Sequence, residues 1–232
     1  TVLTGFDMLV LRIYNDPALR SGMTRDEVAA RLPGILARLN PGGGTVAPRP
    51  ARATPQVWSR AIQTALGRDV GRNARMSAAQ DALRIAQAQG WQDNRHAFSH
   101  YAMGRVTQMT DPAAAQTHYQ MADTLYARTP GTTLHRAYVA TQRAGYAVTI
   151  GDGAGALALI EPHLPIAEAS ENAALLATLM LLKAEALEIE GRGIEARRVR
   201  LDSIGWARYG FGPDWAVRAK LREIASLNPR NG

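Results

Sequence analysis

Cysteine is absent from the 232 residues, which excludes disulfide scaffolds, thiolate zinc sites and cysteine nucleophiles, and leaves the redox compartment unreadable. Lysine is nearly absent too, with Lys183 and Lys220 the only two. The net charge of +7 therefore rests almost wholly on arginine. Such a charge suits nucleic acid, an acidic partner or an anionic membrane surface and says nothing about fold. The arginines are scattered, which weakens the nucleic-acid case. Aromatics make up only 6% and β-branched runs are few, which disfavours a sheet sandwich. No apolar run of about 18 residues occurs. The longest candidate, AALLATLMLLKAEAL at 173–187, is interrupted by Lys183 and Glu185. The opening TVLTGFDMLVLRIYND lacks the basic leader of a signal peptide and carries Asp7 and Arg12 within its apolar stretch.

What is present is alanine, within a chain that is 46% hydrophobic and 20% charged. That is enough for one large or two small globular domains, and alanine's helix propensity predicts an all-α fold. Phe6, Leu9, Val10 and Ile13 stand at helical spacing, so the chain is expected to open within something already folded, as a fragment or a processed product. NDPALRSGM then reads as a turn. Thr24-Arg-Asp-Glu27 reads as a capping box that starts a second helix, with Val28, Leu32, Ile35 and Leu36 inward and a kink at Pro33. Residues 1–39 are thus a two-helix remnant or the end of an upstream domain. Residues 40–54, NPGGGTVAPRPARAT, have the composition of an exposed linker and a domain boundary.

Beyond it, Thr54-Pro55 is expected to cap and open a helix through Leu66 with Val57, Ile62 and Leu66 inward. Ser77-Ala-Ala-Gln80 should cap a helix that Gly90 closes near Gln89. From there the chain repeats. The segments starting at Gly104, Gly145 and Ala184 each carry a small residue in a helix, a turn about seven residues on, and a second helix with a small residue at Ala115, Ala156 or Ala196. A spacing of roughly 40 residues is a solenoid period. Small residues let paired helices approach, and stacked neighbours complete each core. FGPDWAVRAKLREIASLNPRNG reads as a terminal capping helix with Trp215, Val217, Leu221, Ile224 and Leu227 as its apolar positions.

Residues 95–130 resemble a tetratricopeptide repeat, on His100-x-x-Met103-Gly104-x-x-Thr107 followed by Ala115-x-x-x-Tyr119-x-x-Ala122. The later copies depart further, since Pro162 and Pro165 interrupt the helix after Gly153. The resemblance implies stacked antiparallel helical hairpins over about 55–232, a tetratricopeptide-like α-solenoid with a concave protein- or peptide-binding surface. Residues 3–40 resemble the C-terminal end of an uncharacterised bacterial family of exported proteins assigned as zinc metallopeptidases, the turn Asp16-Pro17-Ala18-Leu19-Arg20-Ser21-Gly22-Met23-Thr24 carrying the likeness. That implies a periplasmic or exported location, and leaves a cytoplasmic one open. The family's His-Glu metal motif would lie upstream, so no catalytic residue carries over.

His96 and His100 are spaced i, i+4, as in a shared metal site, yet lack the intervening glutamate and a third ligand, so they read as ordinary helix residues. His118, His135 and His163 read as isolated. Gly151-Asp-Gly153-Ala-Gly155 follows a helix rather than a strand and reads as a turn. Arg192, Arg197, Arg198 and Arg200 stand near Glu188, Glu190 and Glu195 and read as a solvated, ion-paired face. Trp206, Tyr209 and Phe211 are expected to pack inward. No Ser/His/Asp set can be drawn from spacing.

The expectation is a non-catalytic scaffold with no cofactor and no metal, whose partner is a protein or peptide, an acidic one being compatible with the charge. Candidate contacts are Arg95, His96, Ser99, Arg136 and Gln142 on the first helices of the pairs, with Arg197 and Arg198. The alternatives are the C-terminal part of a zinc metallopeptidase, and a basic nucleic-acid binder.

Overall fold

The computed structural model describes residues 50–67 and 69–231, and among them every regular element is helical. The helices expected within residues 1–39 and most of the expected linker lie outside the described residues. The chain divides into two compact units, Thr1–Ala53 and Thr54–Gly232. The packing below is that of the second.

Helix α1 spans Pro50–Leu66 and α2 spans Arg72–Ala88. Three helical pairs follow: α3 (Asn94–Thr107) with α4 (Pro112–Ala127), α5 (Thr133–Thr149) with α6 (Gly153–Ile160), and α8 (Ala173–Ile189) with α9 (Gly193–Phe211). A 3₁₀ turn, Glu161–His163, and the short α7, Leu164–Ala169, link α6 to α8 around Pro162 and Pro165. Helix α10, Asp214–Ala225, and a final 3₁₀ turn, Pro229–Asn231, close the chain.

Asx caps start four of these helices. Asp93, Asp111, Asp152 and Asn172 accept the backbone N–H of Arg95, Ala114, Gly155 and Leu175, satisfying donors the first turn cannot pair. The ends of α5 and α8 share one device. Gly151 (φ +75°) and Gly191 (φ +77°) take the left-handed conformation, and the next residue's N–H returns to the helix, Asp152 to Ala147 and Arg192 to Leu187, each at 2.8 Å. Two of the three expected repeat turns are therefore alike in geometry.

Several boundaries differ from expectation. Helix α1 starts five residues before Pro55, because Pro50 takes the first helical position, where its missing N–H costs nothing, and Pro55 is carried inside. Helix α2 starts at Arg72, ahead of the Ser77 box. Arg75 in its first turn donates to the Ala65 carbonyl at 3.0 Å and ties the start of α2 to the end of α1. Val57 is 51% exposed, while Trp58, Ile62 and Leu66 face the core with Ala65, Ala79, Ala82 and Met103.

The pairs are packed through small residues. Ala115, Ala122, Ala156, Ala184 and Ala196 are fully buried. Gly104 is buried on α3, and a Cβ placed there would lie 2.5 Å from Cε1 of Tyr119, itself fully buried on α4. Gly145 differs, because a Cβ there would meet only Leu227 at 3.7 Å. It faces the terminal segment, and Ala144 takes the buried position beside it. On α9 the inward residues are Ala196, Ser203 and Ala207, and the Gly210 backbone touches that of Ala174. At 3.6 residues per turn Trp206 (43% exposed) and Tyr209 (83%) fall off that buried arc and face outward, against the expected inward packing; Trp215 (70%) on α10 is exposed too, and Phe211 is only partly buried.

Among the described residues one charged side chain is enclosed. Glu185 on α8 receives Arg200 of α9 at 2.9 Å and the Asn228 amide at 3.1 Å, and Arg200 also reaches Glu188 at 2.8 Å. The fork of Arg200 and the Asn228 side chain together neutralise the carboxylate and fasten α9 and the C-terminal turn to α8.

Candidate functional site

Helix α5 turns one face, Thr141, Gln142, Gly145, Tyr146 and Thr149, into a cleft of about 290 Å³. The end of α3 and the start of α4 contribute Gln108 and Gln116, α8 contributes Thr178 and Leu182, and α10 closes the far side with Lys220, Glu223 and Ile224. The missing side chain of Gly145 holds the cleft open opposite Leu227. Lys220 and Glu223 pair at 2.7 Å, which leaves the lining close to neutral. Gln108 accepts the Tyr119 hydroxyl at 2.5 Å, and the Gln142 amide donates to Thr141 at 3.1 Å. Amides and hydroxyls over an apolar floor can hydrogen-bond a ligand's polar atoms while covering its apolar ones.

Of the residues expected to contact a partner, only Gln142 lies on this cleft. Arg95 is engaged with Asp93 at 2.6 Å and stacks 3.8 Å over the Trp91 ring. Arg136 is paired with Asp123 at 2.8 Å. Ser99 is fully buried, accepts the Trp58 indole N–H at 2.8 Å and donates to the Arg95 carbonyl at 2.8 Å, so it joins α1 to α3 and faces no ligand. Both ring nitrogens of His96 are enclosed without a partner, so it offers no polar contact to a groove. Arg197 and Arg198 are exposed on α9, away from the cleft.

His118 is not isolated, as the sequence suggests. Its Nδ1 lies 3.1 Å from Nδ1 of His100, and the His100 ring also stands 5.1 Å from that of His96. One imidazole of the close pair donates and the other accepts. Burial pushes His100 down to about 4, with the neighbouring His118 and His96 adding to the shift, and burial also lowers His118. The pair is held neutral at pH 7. The signal for it was in the sequence: both histidines stand nine positions from Met109, the middle of the turn, and an antiparallel pair brings such positions together. Among the described residues no group of three or more His, Cys, Asp or Glu is placed to hold a metal ion.

A second hollow, also about 290 Å³, lies nearer the start of α5, walled by Phe98, Tyr101, Tyr126, His135 and Tyr138. Phe98 and Tyr101 stack at 5.8 Å. The cleft's missed members, Lys220 and Glu223, come from a helix that reads in sequence only as a cap.

The chain is thus an all-α protein of consecutive packed helical pairs with a neutral, amide-lined cleft beside its middle pair. A family described as a protein of unknown function, DUF2927, matches residues 1–34, a segment outside the described residues. No curated protein and no solved structure matches the chain. Among the described residues no helix is long and apolar enough to cross a membrane.

Proposed function

We propose that residues 54–232 form a non-catalytic module, a tetratricopeptide-like stack of helical hairpins, that binds another protein or an extended peptide in the cleft beside α5. The observation that carries this reading is the lining. Gln108, Gln116, Gln142 and three threonines surround an apolar floor of Leu182, Ile224 and Leu227, a combination that suits a peptide backbone with alternate apolar side chains. Peptides selected on the full chain from a random display library, then titrated by fluorescence polarisation, test it. Thr149→Trp, at an exposed position on the cleft's edge, should weaken the selected peptides at least about tenfold with an unchanged melting curve. Peptides that bind wild type and variant equally would remove the reading.

The second reading treats residues 3–40 as the end of a zinc metallopeptidase domain, with the helical pairs holding that domain or its substrate in place. The family match at 1–34 falls on the same segment, although its description carries no activity. Zinc content and peptide hydrolysis by a gene product extended upstream of Thr1 are its test, and a metal-free, inactive protein would end it. An exported or periplasmic location belongs to this reading alone.

A further inference from the structure

Helix α9 carries an outward stripe that no other element among the described residues covers. At 3.6 residues per turn, Ile194, Arg197, Arg198, Leu201, Arg208 and Tyr209 fall within an arc of about 120°. All six are exposed, Ile194 at 91%, Leu201 at 60% and Tyr209 at 83%. The stripe is also electrostatically unspent. Glu188 and Glu195, which the sequence places near these arginines, are taken by Arg200 and Arg192 at 2.8 and 2.7 Å. Among the described residues Arg197 and Arg198 have no ion pair, and Arg208 has only Asp214 at 3.7 Å. Asp202 sits at the rim. The Arg208–Asp214 contact brings the start of α10, with Trp215 70% exposed, to the end of the stripe.

We propose that this face docks on an anionic lipid bilayer, with α9 lying along the interface, its guanidinium groups on lipid phosphates and Ile194, Leu201 and Tyr209 at the headgroup boundary. The argument is charge complementarity joined to side-chain type. Three cations flank aliphatic and aromatic side chains on one helix, the composition of helices that lie in a membrane surface, and aromatic residues prefer that boundary. A second copy of the chain would set these cations against one another. The neutral cleft beside α5 is a separate surface, so this inference stands apart from peptide binding.

Co-sedimentation of the full chain with vesicles tests it, comparing pure phosphatidylcholine with vesicles carrying about a third phosphatidylglycerol. Binding is expected on the anionic vesicles, falling as salt rises from about 0.05 M to about 0.5 M. Arg197→Ala with Arg198→Ala should weaken it about thirtyfold, at roughly fivefold per cation. Ile194→Ser with Tyr209→Ser should weaken it about tenfold. Both pairs alter exposed positions, and an unchanged circular-dichroism melt verifies that the fold is kept. Equal binding to neutral and anionic vesicles, or full binding by the arginine variant, overturns the proposal. Full binding by the Ile194/Tyr209 variant overturns the interfacial placement of α9. Arginine-dependent binding to soluble polyglutamate or duplex DNA without vesicle binding overturns it in favour of an acidic macromolecule.

Discussion

Replacing Gly104 and Gly145 by alanine should move stability in opposite directions, although the two glycines occupy corresponding places in successive helical pairs. At Gly104 the new methyl would lie 2.5, 2.7 and 2.9 Å from three atoms of the Tyr119 ring, where ordinary contact begins near 3.4 Å. The ring cannot swing away freely, because Tyr119 is fully buried and its hydroxyl is bonded to Gln108. Overpacking of this kind costs about 1–3 kcal/mol. A weakened hydroxyl bond adds about 1 kcal/mol, and alanine's helix propensity returns about 1 kcal/mol. The net loss is about 1–3 kcal/mol, a fall in Tm of several degrees for a chain of this size. At Gly145 the methyl meets only Leu227, at 3.7 Å, so the propensity gain of about 0.5–1 kcal/mol is left unopposed. Urea unfolding of both variants followed by circular dichroism reads the difference. Shifts of the same sign would refute the close-approach reasoning for Gly104.

Glu185→Ala should cost about 3 kcal/mol, because it leaves Arg200 and Asn228 without their shared acceptor; Arg200 is a third exposed and keeps Glu188, so a loss above about 5 kcal/mol, or none, in urea titration would contradict this account. Acid should weaken the α3/α4 seam. The folded state holds His100 neutral down to about 4, whereas the unfolded chain takes up its proton near 6.5, so the stability is intact above about pH 6.5 and is lost as pH falls toward 4. Discounted for partial exposure, the loss is about 1–2 kcal/mol. Comparing urea midpoints at pH 7 and 4.5 should show a smaller acid loss for His100→Asn than for wild type, and equal losses would rule out the histidine pair as its source.

The stacking of small residues was legible because it follows from local chemistry. Alanine favours helix, Asp and Asn cap, and a glycine after a helix allows the left-handed turn, so the pairs built on the turns near Asp111, Asp152 and Gly191 could be marked from spacing alone. Partner contacts were much less legible. Polar residues of the first helices were read as groove-facing, but Asp93, Asp123 and the Trp91 ring take up Arg95 and Arg136, and Ser99 is enclosed by Trp58 from a helix 41 positions earlier. None of those partners can be seen from within the pattern of a single helix.

By itself, then, the sequence determined the all-helical class, the turns of the pairs, and the exclusion of cysteine chemistry, while the helix starts it marked at Thr54 and Ser77 were moved to Pro50 and Arg72. Only the tertiary structure decided which face each helix shows. Helix α9 packs on α8 through Ala196, Ser203, Ala207 and the Gly210 backbone, and this rotation of the helix leaves Trp206 and Tyr209 outward. The return of α10 across α5 places Lys220 and Glu223 on the cleft. Both results arise from contacts distant in sequence, which fix how each helix is rotated and so which of its side chains are covered.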